Sequence, residues 1–214
     1  MQIIAHRGLW KTKTEQNTLY ALEAAFRSGF GVETDVRSVS GSLYLSHDII
    51  QPEHRPAPFD EFIQLCQKYP TRPVFLNIKE DGLADLLVKY DAVRTLNIVF
   101  FDMSVPQLVY FSTRFAPAQL CARVSEYEPY PSGIEFCDWI WVDAFRRELN
   151  KPELERLAAY RKKLVFVSPE LHGRNPDDYW RRLKAIPQLA CRAICTDEAS
   201  RLSGLWRDKE TVAA

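Results

Sequence analysis

Short apolar strands that alternate with helical periods, and polar residues gathered where those strands end, predict an α/β fold: a single-domain (β/α)8 TIM barrel over residues 1–214. The strand-like runs are residues 2–5, 31–36, 74–78, 98–101, 119–123, 139–142, 164–167 and 192–195. Most are rich in β-branched or aromatic residues and apolar on both faces, the pattern of a parallel sheet covered by helices. Eight strand–helix repeats favour a closed barrel over a doubly wound sheet. A chain of 214 residues can bury one sizeable core, and no linker, low-complexity tract or second domain interrupts it.

The first run, Gln2-Ile3-Ile4-Ala5, ends in His6-Arg7-Gly8. A helical period over 18–28 follows, with Asn17 or Thr18 as its cap and Gly29 as its stop. The second run ends in Glu33-Thr34-Asp35, and an extra strand-like stretch at 43–46 leads into His47-Asp48. Further helical periods cover 59–68, 83–94, 105–115, 152–162 and 176–185. Trp139 and Trp141 read as barrel packing, and His54, in a Pro-rich loop, as simply exposed.

Bulk properties narrow the function. Lys plus Arg total 28 and Asp plus Glu total 28, so nothing points to nucleic acid or an anionic membrane as the partner. No window approaches 18 uninterrupted apolar residues, so no stable membrane insertion is expected. The start enters a strand without a basic segment before an apolar one, so a secretory leader is not expected and a cytoplasmic location is. Cys66, Cys121, Cys137, Cys191 and Cys195 lack Cys-x-x-Cys spacing. They read as buried thiols in a reducing compartment, with no zinc site expected.

Barrel chemistry belongs at the carboxyl ends of the strands. Those ends hold His6-Arg7, Glu33-Thr34-Asp35, Asn77-Ile78-Lys79, Asp102, Arg123, Asp143, Ser168 and Thr196-Asp197. Glu33 and Asp35, two apart on a strand, point to one face about 7 Å apart along the chain. Two carboxylates there suit a hard cation such as Mg²⁺ or Ca²⁺, and Asn77 offers an amide oxygen to complete the set. Arg7 presents a planar fork to two phosphate oxygens, and Lys79 a point charge to a third. His6 and His47 titrate near neutrality and suit an acid–base pair flanking phosphorus. The ensemble fits a small-molecule phosphodiester substrate. The plain alternative is that Glu33 and Asp35 simply pair with Arg7 and Lys79 in a buried ion network.

His6-Arg7-Gly8, Glu15-x-Asn17-Thr18, Glu33-x-Asp35 and His47-Asp48, in that order, resemble the glycerophosphodiester phosphodiesterase family. Softer agreement runs through Asn77-x-Lys79 and Phe101-Asp102 to Thr196-Asp197. The resemblance implies a (β/α)8 barrel, a divalent cation and catalysis by the pair His6 and His47. In the family's mechanism a substrate hydroxyl next to the ester attacks phosphorus, and water opens the resulting cyclic phosphate. It implies also that Glu15 holds its loop and that Asn17 touches the histidine. Asp48 is expected to orient its loop rather than react, since an adjacent residue points away from its neighbour's side.

Three departures accompany the likeness. Asn77 stands where the family usually carries a metal-binding glutamate. Only residues 49–58 occupy the place of a family subdomain, and the seventh strand ends in Ser168-Pro169-Glu170-Leu171-His172-Gly173-Arg174 rather than an aromatic-rich segment. Glu170 and His172 read equally as pocket or surface. Two further readings stand beside the hydrolase: a barrel that only binds a phosphorylated ligand, and a cyclising phosphodiesterase or lyase.

Overall fold

The computed structural model describes residues 1–184 and 191–207. Its strands are β1 (Gln2–His6), β2 (Gly31–Val39), β3 (Ser42–Leu45), β4 (Ala57–Pro58), β5 (Val74–Ile78), β6 (Ile98–Phe101), β7 (Cys121–Val124), β8 (Trp139–Val142), β9 (Lys163–Val167) and β10 (Cys191–Thr196). Its helices are α1 (Leu19–Arg27), α2 (Phe59–Lys68), α3 (Ala84–Leu87), α4 (Asp91–Thr95), α5 (Val105–Ser112), α6 (Lys151–Ala159), α7 (Asp177–Lys184) and α8 (Ala199–Arg207). Parallel pairing runs from β1 through β2 and β5 to β6 on one side, and from β1 through β10, β9 and β8 to β7 on the other. One parallel bridge, Phe100 to Leu120, spans the remaining gap between β6 and the approach to β7. The eight-stranded barrel expected from the repeats is therefore present.

Its interior is filled by side chains. Ile4, Phe75, Val99, Phe101, Cys121, Trp139, Trp141, Val165, Val167, Ala193 and Cys195 form one buried cluster. Phe101 stacks on Trp141 at 4.0 Å between ring centroids, and Phe75 meets Trp139 edge-on at 5.3 Å. Both tryptophans thus pack the barrel, as their strand positions imply. Outward-facing residues join the helices in two outer clusters, which include Leu22, Phe26, Phe59, Phe62, Phe100 and Phe111 on one flank and Phe166, Trp180 and Leu202 on the other. Among the described residues no helix is long and apolar enough to cross a membrane. Cys66, Cys121, Cys137 and Cys195 are free, buried thiols.

The structure departs from the sequence pattern in three places. The helical period over 83–94 breaks into α3 and α4, with Tyr90 extended between them. Buried Ala84 and Leu87 share a face, whereas buried Val93 falls about half a turn out of phase. One straight helix cannot bury all three. Between β7 and β8 the repeat carries no α-helix, only a single 3₁₀ turn over Ile134–Phe136. β2 continues to Val39 and turns back through Ser40 and Gly41, both left-handed at φ 49° and 81°, into antiparallel β3. Such a two-residue turn matches the strand twist. Residue 185, the expected end of the helix over 176–185, lies outside the described residues.

α1 begins as read: the Thr18 hydroxyl accepts from the Ala21 amide, making Thr18 rather than Asn17 the cap. Gly8 packs the β1–α1 turn against this helix. Its φ is 93°, and a Cβ there would lie 2.6 Å from the Ala21 carbonyl carbon. Gly41 has φ 81° and nothing within 4 Å of a built Cβ. In urea unfolding, Gly41→Ala should cost about 1–2 kcal/mol from left-handed strain alone. Gly8→Ala should cost about 3 kcal/mol or more, because backbone must move as well. Equal losses would mean that the turn yields and that this contact constrains nothing.

Candidate active site

One pleat beyond the apolar filling, the inward positions turn polar. Ile4 is followed by His6, Phe75 by Asn77, Cys121 by Arg123, Trp141 by Asp143 and Cys195 by Asp197. Strand side chains alternate between faces, so residues two apart share one. The same strands that pack the core therefore crown it with a polar layer at their carboxyl ends.

His6 lies within this layer. Its Nδ1 is 2.7 Å from Asp197 Oδ1, and its Nε2 is 3.7 Å from Glu33 Oε2. Burial disfavours the imidazolium, but the Asp197 hydrogen bond and the Glu33 charge outweigh it and raise the His6 pKa. Arg7, left-handed at φ 57°, swings its guanidinium onto Asp35, with Nε 3.2 Å from Oδ2. Its Nη1 donates to the Gln16 amide oxygen at 3.2 Å. Asn17, also left-handed at φ 59°, donates from Nδ2 to Asp35 Oδ2 at 2.8 Å and accepts from the Thr34 hydroxyl at 2.7 Å. Asn17 thus touches a carboxylate, not the histidine that the resemblance implies. Glu15 does hold its loop, accepting the Lys11 amide at 2.8 Å.

Glu33 and Asp35 are 2% and 1% exposed. The parallel register sets Asp35 directly beside Asn77 of β5. Lys79 reaches in from beyond the end of β5, its Nζ 3.9 Å from Asp35 Oδ1. Part of the expected ion network is therefore real, but its contacts to Glu33 Oε2 and Asp35 Oδ1, at 3.7 and 3.9 Å, are longer than hydrogen bonds. Glu33 Oε2, Asp35 Oδ1 and Asn77 Oδ1 are buried without a hydrogen-bond partner. Burial, with the Asp35 charge beside it, pushes the Glu33 carboxyl up to about 8 against the pull of His6, Arg7 and Lys79. Unpartnered buried oxygens are costly, and three hard oxygen donors on adjacent strands suit a divalent cation of the Mg²⁺ or Ca²⁺ kind. Among the described residues no three His, Cys, Asp or Glu side chains form a ready-made metal cluster; an amide supplies the third oxygen here.

His47 arrives by way of the hairpin. β3 returns the chain beside β2, where the Ser46 amide donates to the Asp35 carbonyl at 3.0 Å. Arg37 Nε secures the His47 carbonyl at 3.0 Å. The His47 ring is 41% exposed, with its Nδ1 2.8 Å from Asp48 Oδ1. Asp48 therefore orients the imidazole itself, correcting the expectation that it points away; the loop bends enough for neighbouring side chains to meet. The His47 hydrogen bond also draws the Asp48 carboxyl below its ordinary value. A cavity of about 690 Å³ opens here, lined by Arg7, Asn17, His47 and the cationic or basic Lys13, His54 and Arg55. His54 is exposed, as read, but onto this cavity.

The opposite rim holds groups that strand-end reading only lists. His172 Nε2 is 2.6 Å from Asp143 Oδ1. Glu170 accepts from the Ser168 and Thr196 hydroxyls and from the Asp197 amide. It thereby braces the residue that holds His6. Burial raises the Cys195 thiol pKa, and Glu33, Asp197, Glu170 and Asp143 raise it further. Four carboxylates from both rims thus act on one inner atom. The His6–Asp197 contact joins residues 191 apart, so no local motif announces it; only the strand-end count does.

No known protein-family model matches the chain, and no curated protein matches it. Solved structures do. A candidate glycerophosphodiester phosphodiesterase from Galdieria sulphuraria superposes with a TM-score of 0.71 at 14% identity, over 95% of this chain and 96% of that one. A glycerophosphodiester phosphodiesterase from Parabacteroides distasonis gives 0.66 at 14% identity, with 98% of each chain covered. An Oleispira antarctica phosphodiesterase, in complex with the product sn-glycerol-3-phosphate, gives 0.65 at 17% identity over 95% and 96%. The chain has the fold of these barrels.

Asn17 is the joint between the β1–α1 loop and β2. Asn17→Ala removes a donor to buried Asp35 and an acceptor from buried Thr34. Each orphaned group costs about 1–3 kcal/mol, and alanine adds left-handed strain. Urea unfolding should show a loss of about 3 kcal/mol or more. Asn17→Gly should recover only the strain component, about 1 kcal/mol; full recovery by glycine would remove the hydrogen bonds from the account.

Proposed function

We propose that this protein is a divalent-cation-dependent phosphodiester hydrolase of glycerophosphodiester type. The observation that carries the reading is the trio of buried oxygens on Glu33, Asp35 and Asn77 that no hydrogen bond reaches, beside His6, Arg7 and Lys79. The barrels it resembles support the reading, since they include glycerophosphodiester phosphodiesterases and one solved with sn-glycerol-3-phosphate.

Glu33 and Asp35 would hold the cation, with Asn77 as a neutral third ligand; when bound it neutralises charge on the phosphate oxygens. Arg7 and Lys79 flank the phosphoryl group and stabilise the negative charge that builds up at phosphorus. His47, in the cavity, accepts the proton of the attacking hydroxyl. His6, held by Asp197, donates a proton to the departing alkoxide oxygen as the phosphorus–oxygen bond breaks. Asp48 and Asp197 fix the two rings; Glu15 and Asn17 fix the loop between them.

Metal dependence, the kinetics of the histidine variants and the identity of the first product test this reading. EDTA should stop cleavage of a glycerophosphodiester and Mg²⁺ or Ca²⁺ should restore it. At a cation concentration near 100 times Kd, wild-type protein should gain about 2.7 kcal/mol of unfolding free energy, and Glu33→Ala should gain none. Full turnover by Glu33→Ala in metal-free buffer would reject the cation. His6→Ala and His47→Ala should each lose roughly 10²–10⁴-fold, with the double mutant little worse. A substrate with a very good leaving group should rescue His6→Ala alone; equal rescue of both reverses or voids the assigned roles. Phosphorus NMR of the first product separates a hydrolase from an enzyme that releases the cyclic phosphate.

A further inference from the structure

The mouth of the barrel is chemically lopsided. On the β2–β3 side the cavity collects basic groups, Arg7, Lys13, His47, His54 and Arg55. On the β7–β9 side the carboxylates are already paired with basic groups. Arg123 bridges Asp102 and Glu128, the latter at 2.5 Å, and His172 meets Asp143 at 2.6 Å. Beside these pairs stand two solvent-exposed aromatic rings. Phe145 is 38% exposed and Tyr127 59%. Phe145 lies 4.7 Å from the His172 ring, and Tyr127 lies 6.0 Å from Phe145.

These rings are fixed in place. Glu126 accepts the backbone amides of Phe145 and Arg146, the first at 3.0 Å and the second at 2.6 Å. Arg174 donates to the Ala144 carbonyl, and Gly173, left-handed at φ 72°, turns the loop that presents His172 and Arg174. A loop pinned at several points to hold aromatic surface in water calls for an explanation, and the core does not use that surface.

Resting on the proposed phosphodiesterase reading, we infer that Phe145, Tyr127, His172, Asp143 and the Arg123–Asp102 pair form the subsite for the substrate's second alcohol, and that this alcohol is an uncharged cyclic polyol of the hexose or inositol kind. A polyol ring has an apolar C–H face that packs on an aromatic ring, and hydroxyls at its edge that both donate and accept. Carboxylate, imidazole and guanidinium groups, arranged in neighbouring pairs, meet adjacent hydroxyls in both senses. An anionic alcohol finds Asp102, Asp143 and Glu128 here. A quaternary ammonium finds the Arg146 guanidinium already 5.5 Å over Tyr127, and carboxylates already paired. Neither charged group gains.

The test compares kcat/KM for glycerol phosphoglucose, glycerophosphoinositol, glycerophosphocholine and bis(p-nitrophenyl) phosphate, using the full chain. Either or both polyol esters should exceed the choline ester at least 10-fold, and the larger value identifies hexose or inositol as the source. Phe145→Leu, which keeps an apolar side chain but removes the ring, should abolish most of that preference through KM rather than kcat. His172→Gln should do so less completely. A choline ester cleaved as well as the polyol esters, or a preference unchanged in Phe145→Leu, overturns the subsite while leaving the phosphodiesterase standing. Should no diester be cleaved, the proposed function fails and the subsite is judged by binding. Saturation-transfer NMR with glucose 1-phosphate and inositol 1-phosphate should then mark the ring C–H protons in wild type and lose them in Phe145→Leu. No such transfer overturns it.

Discussion

A carboxylate buried to 1% exposure must be met by donors, and Asp35 is met by three side chains from two segments. Arg7 and Asn17 come from the loop after β1, and Lys79 comes from beyond β5. Desolvating a charge costs several kcal/mol unless partners replace the lost water. The folded chain therefore keeps Arg7 and Asn17 in left-handed conformations that their side chains would not choose alone. The hairpin is tied to the same residue, through the Ser46 amide on the Asp35 carbonyl. One inward position on β2 thus gathers the guanidinium, the ammonium and the His47 segment around it.

Glu33 has the opposite situation two residues earlier. Its neighbours in the layer are an imidazole at 3.7 Å and the competing Asp35 charge, and no hydrogen bond reaches Oε2. Burial first, and then the Asp35 charge, push its carboxyl up while its neighbour is heavily paired. The combination leaves one well-anchored carboxylate and one waiting for positive charge. Asn77 beside Asp35 supplies an oxygen without adding a third negative charge to this confined space, which lowers the electrostatic cost of the empty arrangement as well as the pull on a cation.

Much of this was legible in the sequence because a barrel turns chain order into geometry. His6, Glu33, Asp35, Asn77 and Lys79 sit at strand ends, and period-two alternation fixes which face they occupy. What stayed hidden depends on long-range closure or on loop detail. Asp197 reaches His6 only because β10 pairs with β1. Glu170 braces Asp197 from a 3₁₀ turn over Pro169–His172 whose composition reads equally as surface. Asp48 lies past the end of β3, where strand alternation no longer sets side-chain direction. The break between α3 and α4 is hidden for a related reason: the apolar period runs on across residues whose buried positions fall out of phase.

The two sides of the mouth answer different physical demands. On the β2–β3 side, Arg7, Lys13, His47, His54 and Arg55 lie around an open cavity, where their summed positive charge favours an anion. On the β7–β9 side, carboxylates already paired with Arg123 and His172 present polar edges beside exposed rings. Such a surface attracts a ligand by shape and by many directional hydrogen bonds rather than by field. His6 and Asp197 lie between the two, on β1 and just past β10. A bond that joins a charged phosphate to an uncharged polyol matches that polarity across the mouth. The reacting oxygen, the one that changes from ester to alcohol, then falls where the His6 imidazole is held.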